Sequence, residues 1–365
     1  MNTRRWFVRG LLVGLIAAFG LSVFRALPKG AAQRVHDDAG VLDPGEVPLL
    51  NQYLQQIHDE SGADLRFLLV DSVQGDLEAF ALRQVRTLGV GRETDRRGAL
   101  FVYDVRHHRL RVEVGPNLEP IFTDLFVSYL MRDHVRSFFA AGNPTLGLRL
   151  TLFMLHARLR RAALGEEYDP RAAAYIEERN RLALGGGATA TMPVSGSPAR
   201  LANADAHVLE AAYFVPQQSA EAAYLRYLEW LHWPAYLPEV SLFTPASQAY
   251  LSKLPMTLPY KDYVLFLEYG QPHFTVERGD LALMYFTADP LACPHFLRRG
   301  ATGWQMDIVA EVQHTRNFAG GPYTWGLLEP EDDFSKTFAD QLLAVGPILR
   351  MRGGDNRPLP TLRNF

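Results

Sequence analysis

The stretch from Arg97 to Asp124, RGALFVYDVRHHRLRVEVGPNLEPIFTD, constrains the fold more than any other. Gly98 to Asp104 is a short apolar run. Arg109 to Gly115 alternates, with Leu110, Val112 and Val114 on one face and Arg109, Arg111 and Glu113 on the other. Only Val105 to His108 separate the two, so the pattern predicts a β-hairpin. Acidic residues recur where the strands end: Asp104, Glu113, Glu119 and Asp124. Carboxylates gathered at strand ends can hold a hard cation or move protons, whereas carboxylates on a solvated face do neither. The spacing alone leaves both readings open.

The flanking sequence supplies helices to cover that hairpin. Asp43, Pro44 and Glu46 carry the marks of a helix start with a capping box, and Val47, Leu50, Leu54 and Ile57 then recur at helical spacing up to Ser61-Gly62. Leu65 to Val70 is a continuous apolar run suited to a strand covered on both faces. Leu77, Phe80, Ala81, Val85 and Leu88 give a second helical stripe, and Leu118 to Phe139 and Leu146 to Leu164 give two more helices. This order implies a layered α/β domain over residues 34–165, with helices on a mixed sheet.

At 365 residues the chain is long enough for two domains of ordinary size. A net charge of −3 offers no basic field, so nucleic acid is not an expected partner. The single cysteine, Cys293, excludes an intramolecular disulfide and a cysteine-based zinc cluster, and a buried structural thiol is its default reading. At the amino terminus, Gly10 to Phe24 is an uncharged apolar run between Arg9 and Arg25. Residues 1–33 therefore read as a targeting segment: either a signal cut before Gln33, or a retained anchor crossing the membrane through residues 6–27. The start TRRWFVR is also similar to a twin-arginine export signal. Each reading puts the body of the protein beyond the cytoplasmic membrane, in the periplasm.

After a further helical stretch from Asp169, residues 185–205 are rich in Gly, Ala, Thr, Ser and Pro, so 166–205 reads as a helix and flexible linker. A second domain is expected over 206–352, ahead of a loose tail at 353–365. It begins with a helical stretch from Ala206 to Trp233 that pauses at Val215-Pro216. Strands are predicted at Tyr263 to Tyr269, His273 to Glu277, Leu281 to Thr287, Phe296 to Arg298 and Trp304 to Val312. Helices followed by an antiparallel sheet make an α+β domain. HFLRRGATGWQMDIVAEV resembles, weakly, the penultimate hairpin of nuclear-transport-factor-2-like folds. That resemblance implies a pocket between sheet and helix, which Trp230, Trp233, Tyr285, Trp304 and Trp325 could line; plain core is the competing role for these aromatics.

Short motifs in the first domain resemble those of the TPM domain family, which includes thylakoid-lumen acid-phosphatase-like proteins and related bacterial envelope proteins. VHDDAGVL is similar to the family's opening motif with Asp37 in its acidic position, and VGRETDRRGALFV to its glycine, charged loop and apolar strand through Gly91 and Gly98. RVEVGPNLE resembles its strand ending in G-x-G-L-E, and FFAAGNPTLGL its closing turn. Pro116-Asn117 departs from the family, which carries glycine at the second position.

The resemblance implies an α/β/α sandwich with acidic residues at one end of the sheet and, in some members, divalent-metal binding with weak phosphatase activity. By matching position, the metal candidates are Asp37, Asp104, Glu119 and Asp124, suited to Ca2+ or Mg2+. Arg96 and Arg97 are candidates to steady a phosphate. Against these stand structural roles: Asp37 as a cap, Glu113 as an ion-pair partner, His107 and His108 as a solvated turn, and His58 and His134 as surface residues.

Three functions follow. The first is a binding or assembly and quality-control factor for membrane or envelope proteins. The second is a divalent-metal-dependent phosphatase, and the third is small-ligand binding through the second domain.

Overall fold

The computed structural model describes residues 33–165, 192–193, 211–233, 236–286, 294–316, 324–325, 332–338, 342–345 and 348–351. The expected targeting segment, Cys293, most of the linker and the loose tail lie outside the described residues. Among the described residues no helix is long and apolar enough to cross a membrane.

In the first half, β1 (Val35–Asp37), β2 (Asp64–Val70) and β3 (Gly98–Asp104) run parallel, and β4 (Arg109–Val114) returns antiparallel as the predicted hairpin. A two-residue strand, β5 (Met192–Pro193), pairs with Arg109 and Leu110, so one point of the Gly/Ser/Pro-rich stretch lies against the sheet edge. Side chains alternate between the two faces, and each face has its own cover. Phe67, Leu69, Phe101, Tyr103, Leu110 and Val112 face a core shared with α1 (Val47–Ser61) and α5 (Pro144–Ala163). Leu68, Leu100 and Val102 face α2 (Leu77–Leu88) through Leu77 and Ala81. The fold is thus the α/β/α sandwich on a mixed sheet. Fully buried side chains such as Leu54 and Phe122 each contribute ~1.5–3 kcal/mol.

Two helix starts differ from the sequence pattern. The capping box at Asp43 does not form: α1 begins at Val47, with Pro48 in its first turn, and the Asp43 carboxylate turns back to Gly45 N at 2.9 Å. The expected helix from Leu118 starts later, as α3 (Asp124–Leu130) capped by the Thr123 hydroxyl. It then widens into a π-helical turn, Met131–Val135, before α4 (Arg136–Ala140).

In the second half, α6 (Ala220–His232), α7 (Pro245–Leu251) and α8 (Leu258–Glu268) precede an antiparallel sheet of β6 (His273–Arg278), β7 (Leu281–Phe286), β8 (His295–Gly300) and β9 (Gly303–Met306). Helix α9 (Ile308–His314) follows directly. Two predicted strands are therefore corrected. Tyr263 to Glu268 of that run belongs to α8, which starts after Thr257 with Pro259 in its first turn and is followed by Tyr269. The run from Trp304 stops being strand at Met306, because the Asp307 carboxylate accepts from Ala310 N at 3.2 Å and starts a helix.

Both faces of this sheet are packed. Ala282, Met284, Leu297, Trp304 and Met306 meet Tyr224, Tyr227 and Trp230, while Leu283 and Phe296 meet Phe334 and Phe338 of the segment around α10 (Asp333–Thr337). Trp230 and Trp304 are core rather than pocket lining.

Helix α8 joins the two halves. Tyr260, Tyr263, Val264 and Leu267 pack into the core of the first half. Lys261 and Glu268 are buried on the side of the second.

Candidate functional site

Asp37 and Asp104 leave the sheet at the carboxyl ends of the parallel strands, but on opposite faces. Asp37 is in register with Leu69 and Tyr103, whereas Asp104 is in register with Val70, so the strand pleat sends their side chains apart. Each has its own work. The Asp37 carboxylate accepts from Val41 N at 3.1 Å and Leu42 N at 2.8 Å, holding the turn that leads to α1. Asp104 is wholly buried and takes bonds from Arg109 Nε at 3.0 Å, Arg109 Nη2 at 2.5 Å and His107 Nδ1 at 3.0 Å. Burial pushes this carboxyl up, but the Arg109 and His107 bonds outweigh it and hold its pKa below the usual carboxylate range. Arg109 also reaches Val73 O at 3.0 Å, so the pair ties the hairpin to the loop before α2.

Glu119 and Asp124 follow β4, which runs the other way, so the chain carrying them departs from the opposite end of the sheet. Gly115, just past β4, bonds Gly98 at the start of β3. The length of β3 separates these ends by ~20 Å. Glu119 is exposed, and Asp124 is exposed in the first turn of α3, where its charge favours the helix N-terminus. The structure brings neither to Asp37 or Asp104. Among the described residues, no three His, Cys, Asp or Glu side chains are grouped as a metal would require.

Arg96 and Arg97 lie at the Glu119 end. Arg97 Nη2 donates to Ser61 O at 3.2 Å, while Arg96 is exposed with a φ of 60° and its carbonyl is pressed against Gly115. A Cβ on Gly115 would sit 2.2 Å from that oxygen, and a Cβ on Gly98 would sit 2.6 Å from Gly91 N. The glycines in the resemblance are thus explained by backbone contact, with no ligand needed. Asn117, where the family carries glycine, clamps the same loops by donating to Asp95 O at 2.6 Å.

Beneath these loops, Asp64 is buried between Arg34 and Arg66 and also accepts from Gly91 N at 3.0 Å. Burial raises the pKa of this carboxyl, but the arginines and the amide lower it by more. Glu113 pairs with Arg111 of its own strand at 2.8 Å, and Arg111 also meets Glu78 on α2 at 3.4 Å.

The sequence reading missed four buried histidines, His134, His156, His295 and His314. His134, expected on the surface, is fully buried in the π-helical turn. Its Nε2 donates to Gly147 O at 3.3 Å, which leaves Nδ1 to accept from the Thr257 hydroxyl at 2.5 Å. Burial pushes its pKa down to about 3, so it is neutral. His156 joins Tyr53 and Glu60 of α1 to α5, at 2.9 Å to each. His295 sits between two carboxylates, Glu268 at 2.9 Å and Glu311 at 2.8 Å. Burial favours its neutral form, but the two negative charges prevail and raise its pKa to about 10. Glu268 is itself raised, since burial and the neighbouring Glu311 exceed the pull of His295. None of the partners lies near its histidine in sequence, so no local spacing could reveal them.

Residues 35–157 match the sequence model of the TPM domain family. The match takes in the whole first-half sheet apart from β5 and ends within α5, before α8. Among solved structures, the chain is similar to the N-terminal domain of a protein from P. gingivalis determined by solution NMR. The two are 27% identical over 38% of this chain and 88% of that one, with a TM-score of 0.34. No curated protein matches the chain.

Proposed function

With a TPM domain at residues 35–157 as the premise, we propose that this chain is an exported factor that binds membrane or envelope proteins and assists their assembly or quality control. One observation carries the choice of binding over hydrolysis: the four acidic candidates are divided between two ends and two faces of the sheet. Asp37 and Asp104 already serve backbone amides and the Arg109 guanidinium. Activating water for phosphate-ester hydrolysis requires converging carboxylates with an open coordination position. A binding module requires surface alone. The periplasmic location rests on the apolar run Gly10 to Phe24 with its flanking arginines. Small-ligand binding by the second half draws no support from a sheet packed on both faces.

The test measures 4-nitrophenyl phosphate turnover and calorimetric binding of Ca2+ and Mg2+ by the parent chain and by the Asp37→Ala/Glu119→Ala variant. The expected result is no metal-dependent turnover in either and no saturable metal binding. Turnover that depends on metal and is lost in the variant would replace the binding reading with the phosphatase. Accessibility of the chain to protease in spheroplasts but not in whole cells tests export.

A further inference from the structure

The family match ends before α8, yet α8 completes the core of the TPM domain. It lies across the face made by α3, the π-helical turn and α5. Tyr260, Tyr263, Val264 and Leu267 form its inward stripe at the i, i+3, i+4 and i+7 positions by which one helix fits a groove. Polar pins accompany that stripe. Tyr129 donates to Asp262, and Thr257 donates to His134. Thr257 occupies the N-cap position of α8, but its hydroxyl serves His134 and makes no cap bond.

Tyr129 and His134 stand five residues apart, a spacing that an ordinary α-helix places on different sides. The i→i+5 turn between them brings both to α8. A small cleft of about 10 Å³ lies beside α8, lined by Phe126, Tyr129, Met154, Arg158, Arg161 and Phe266, with Arg161 stacked 3.4 Å over the Phe266 ring. The other side of α8 is tied to the second half, through Lys261 Nζ on Trp233 O at 2.6 Å and Glu268 on His295.

We propose that this face is a docking groove for an amphipathic helix of a partner protein, and that α8 is the chain's own occupant of it. The inference rests on the binding role proposed above and names the class of partner. That partner is a helix with aromatic residues at i and i+3, a carboxylate at i+2 for Tyr129, and aliphatic residues at i+4 and i+7. The second half carries α8 and withdraws it when the partner helix takes its place.

The test uses the full chain and a fluorescent peptide of residues 254–270. In the Thr257→Val/Asp262→Ala variant, which loses both pins, the peptide is expected to bind at least tenfold more tightly than to the parent chain. Adding Arg161→Glu to that variant, or replacing Tyr260 and Tyr263 of the peptide by aspartate, is expected to abolish the gain. Hydrogen exchange checks that the variant is folded: α8 amides should exchange faster while those of Leu65 to Val70 keep their protection. Equal peptide affinity in parent and variant with α8 released would overturn the proposal, as would a released variant that dimerises by exchanging α8 and binds no peptide. The phosphatase test reads a different property, so failure there and failure here are distinguishable.

Discussion

His134 and His295 are buried to the same degree, yet one is neutral and the other charged. Their pKa values, about 3 and about 10, lie on opposite sides of the ordinary value near 6.5. Burial presses both toward the neutral form, so it cannot explain the difference. Partners do. His134 meets a hydroxyl and a carbonyl, and His295 meets two carboxylates. Both act on one helix: His134 holds Thr257, ahead of the first turn of α8, and His295 holds Glu268, its last residue. The histidine contact with the first half is therefore neutral and the histidine contact with the second half is ionic. A neutral pin can be exchanged for that of another helix at smaller cost than a buried ion pair.

Removing one member of the ionic contact should have the largest effect. Glu268→Gln leaves His295 with half of its counter-charge in a site closed to water, and such losses cost about 3–5 kcal/mol. Equilibrium urea unfolding would show it, and a change below ~1 kcal/mol would mean that Glu311 alone satisfies the imidazolium. pH should expose the same asymmetry. The folded pKa of His295 is raised, so its contribution is fully present below about pH 6.5. It is lost as pH rises toward about 10. The melting temperature should fall between pH 7 and 10, and His295→Gln should flatten that slope.

The neutral contact should be weaker. Thr257→Val leaves the buried Nδ1 of His134 without a donor, at a cost of about 1–3 kcal/mol. Its pH dependence runs the other way. The unfolded chain protonates His134 near pH 6.5, whereas the folded chain resists until about 3, so stability falls as pH drops through that window. Asp64, Asp104 and Glu60, all held low, add to the acid loss below about pH 4. The part due to His134 is the difference in slope between parent and His134→Gln from pH 6.5 to 4.5, measured by thermal melts.

What was legible in the sequence follows the same division between local and distant causes. The hairpin, α1, α2 and α5 could be read because their periodicity lies within one segment. The hairpin reading also implied that Asp104 and Glu119 come off opposite ends of the sheet, a consequence that the family resemblance obscured. Helix α8 was misread as strand because both of its sides are buried, which removes the polar face that reveals a helical period; Thr257 and Pro259 were the available signals. The histidine sites were illegible, since His134 and Thr257 are 123 positions apart and His295 and Glu268 are 27.

His156 sharpens the comparison, because it has one partner of each kind. Its Nδ1 meets the Tyr53 hydroxyl and its Nε2 meets Glu60, whose pKa is raised by burial but lowered by more through bonds from His156 and Gln56. If partner charge is what separates His134 from His295, the two contacts of His156 should be unequal. Tyr53→Phe removes one neutral bond and keeps the ring packed against Phe153, so it should cost only about 1 kcal/mol. Glu60→Gln removes the charge-assisted bond and should cost about 1.5–3 kcal/mol. Both can be measured by urea unfolding at pH 7. A Tyr53→Phe loss as large as that of Glu268→Gln would break the comparison, because a hydroxyl would then hold a buried histidine as firmly as a carboxylate does.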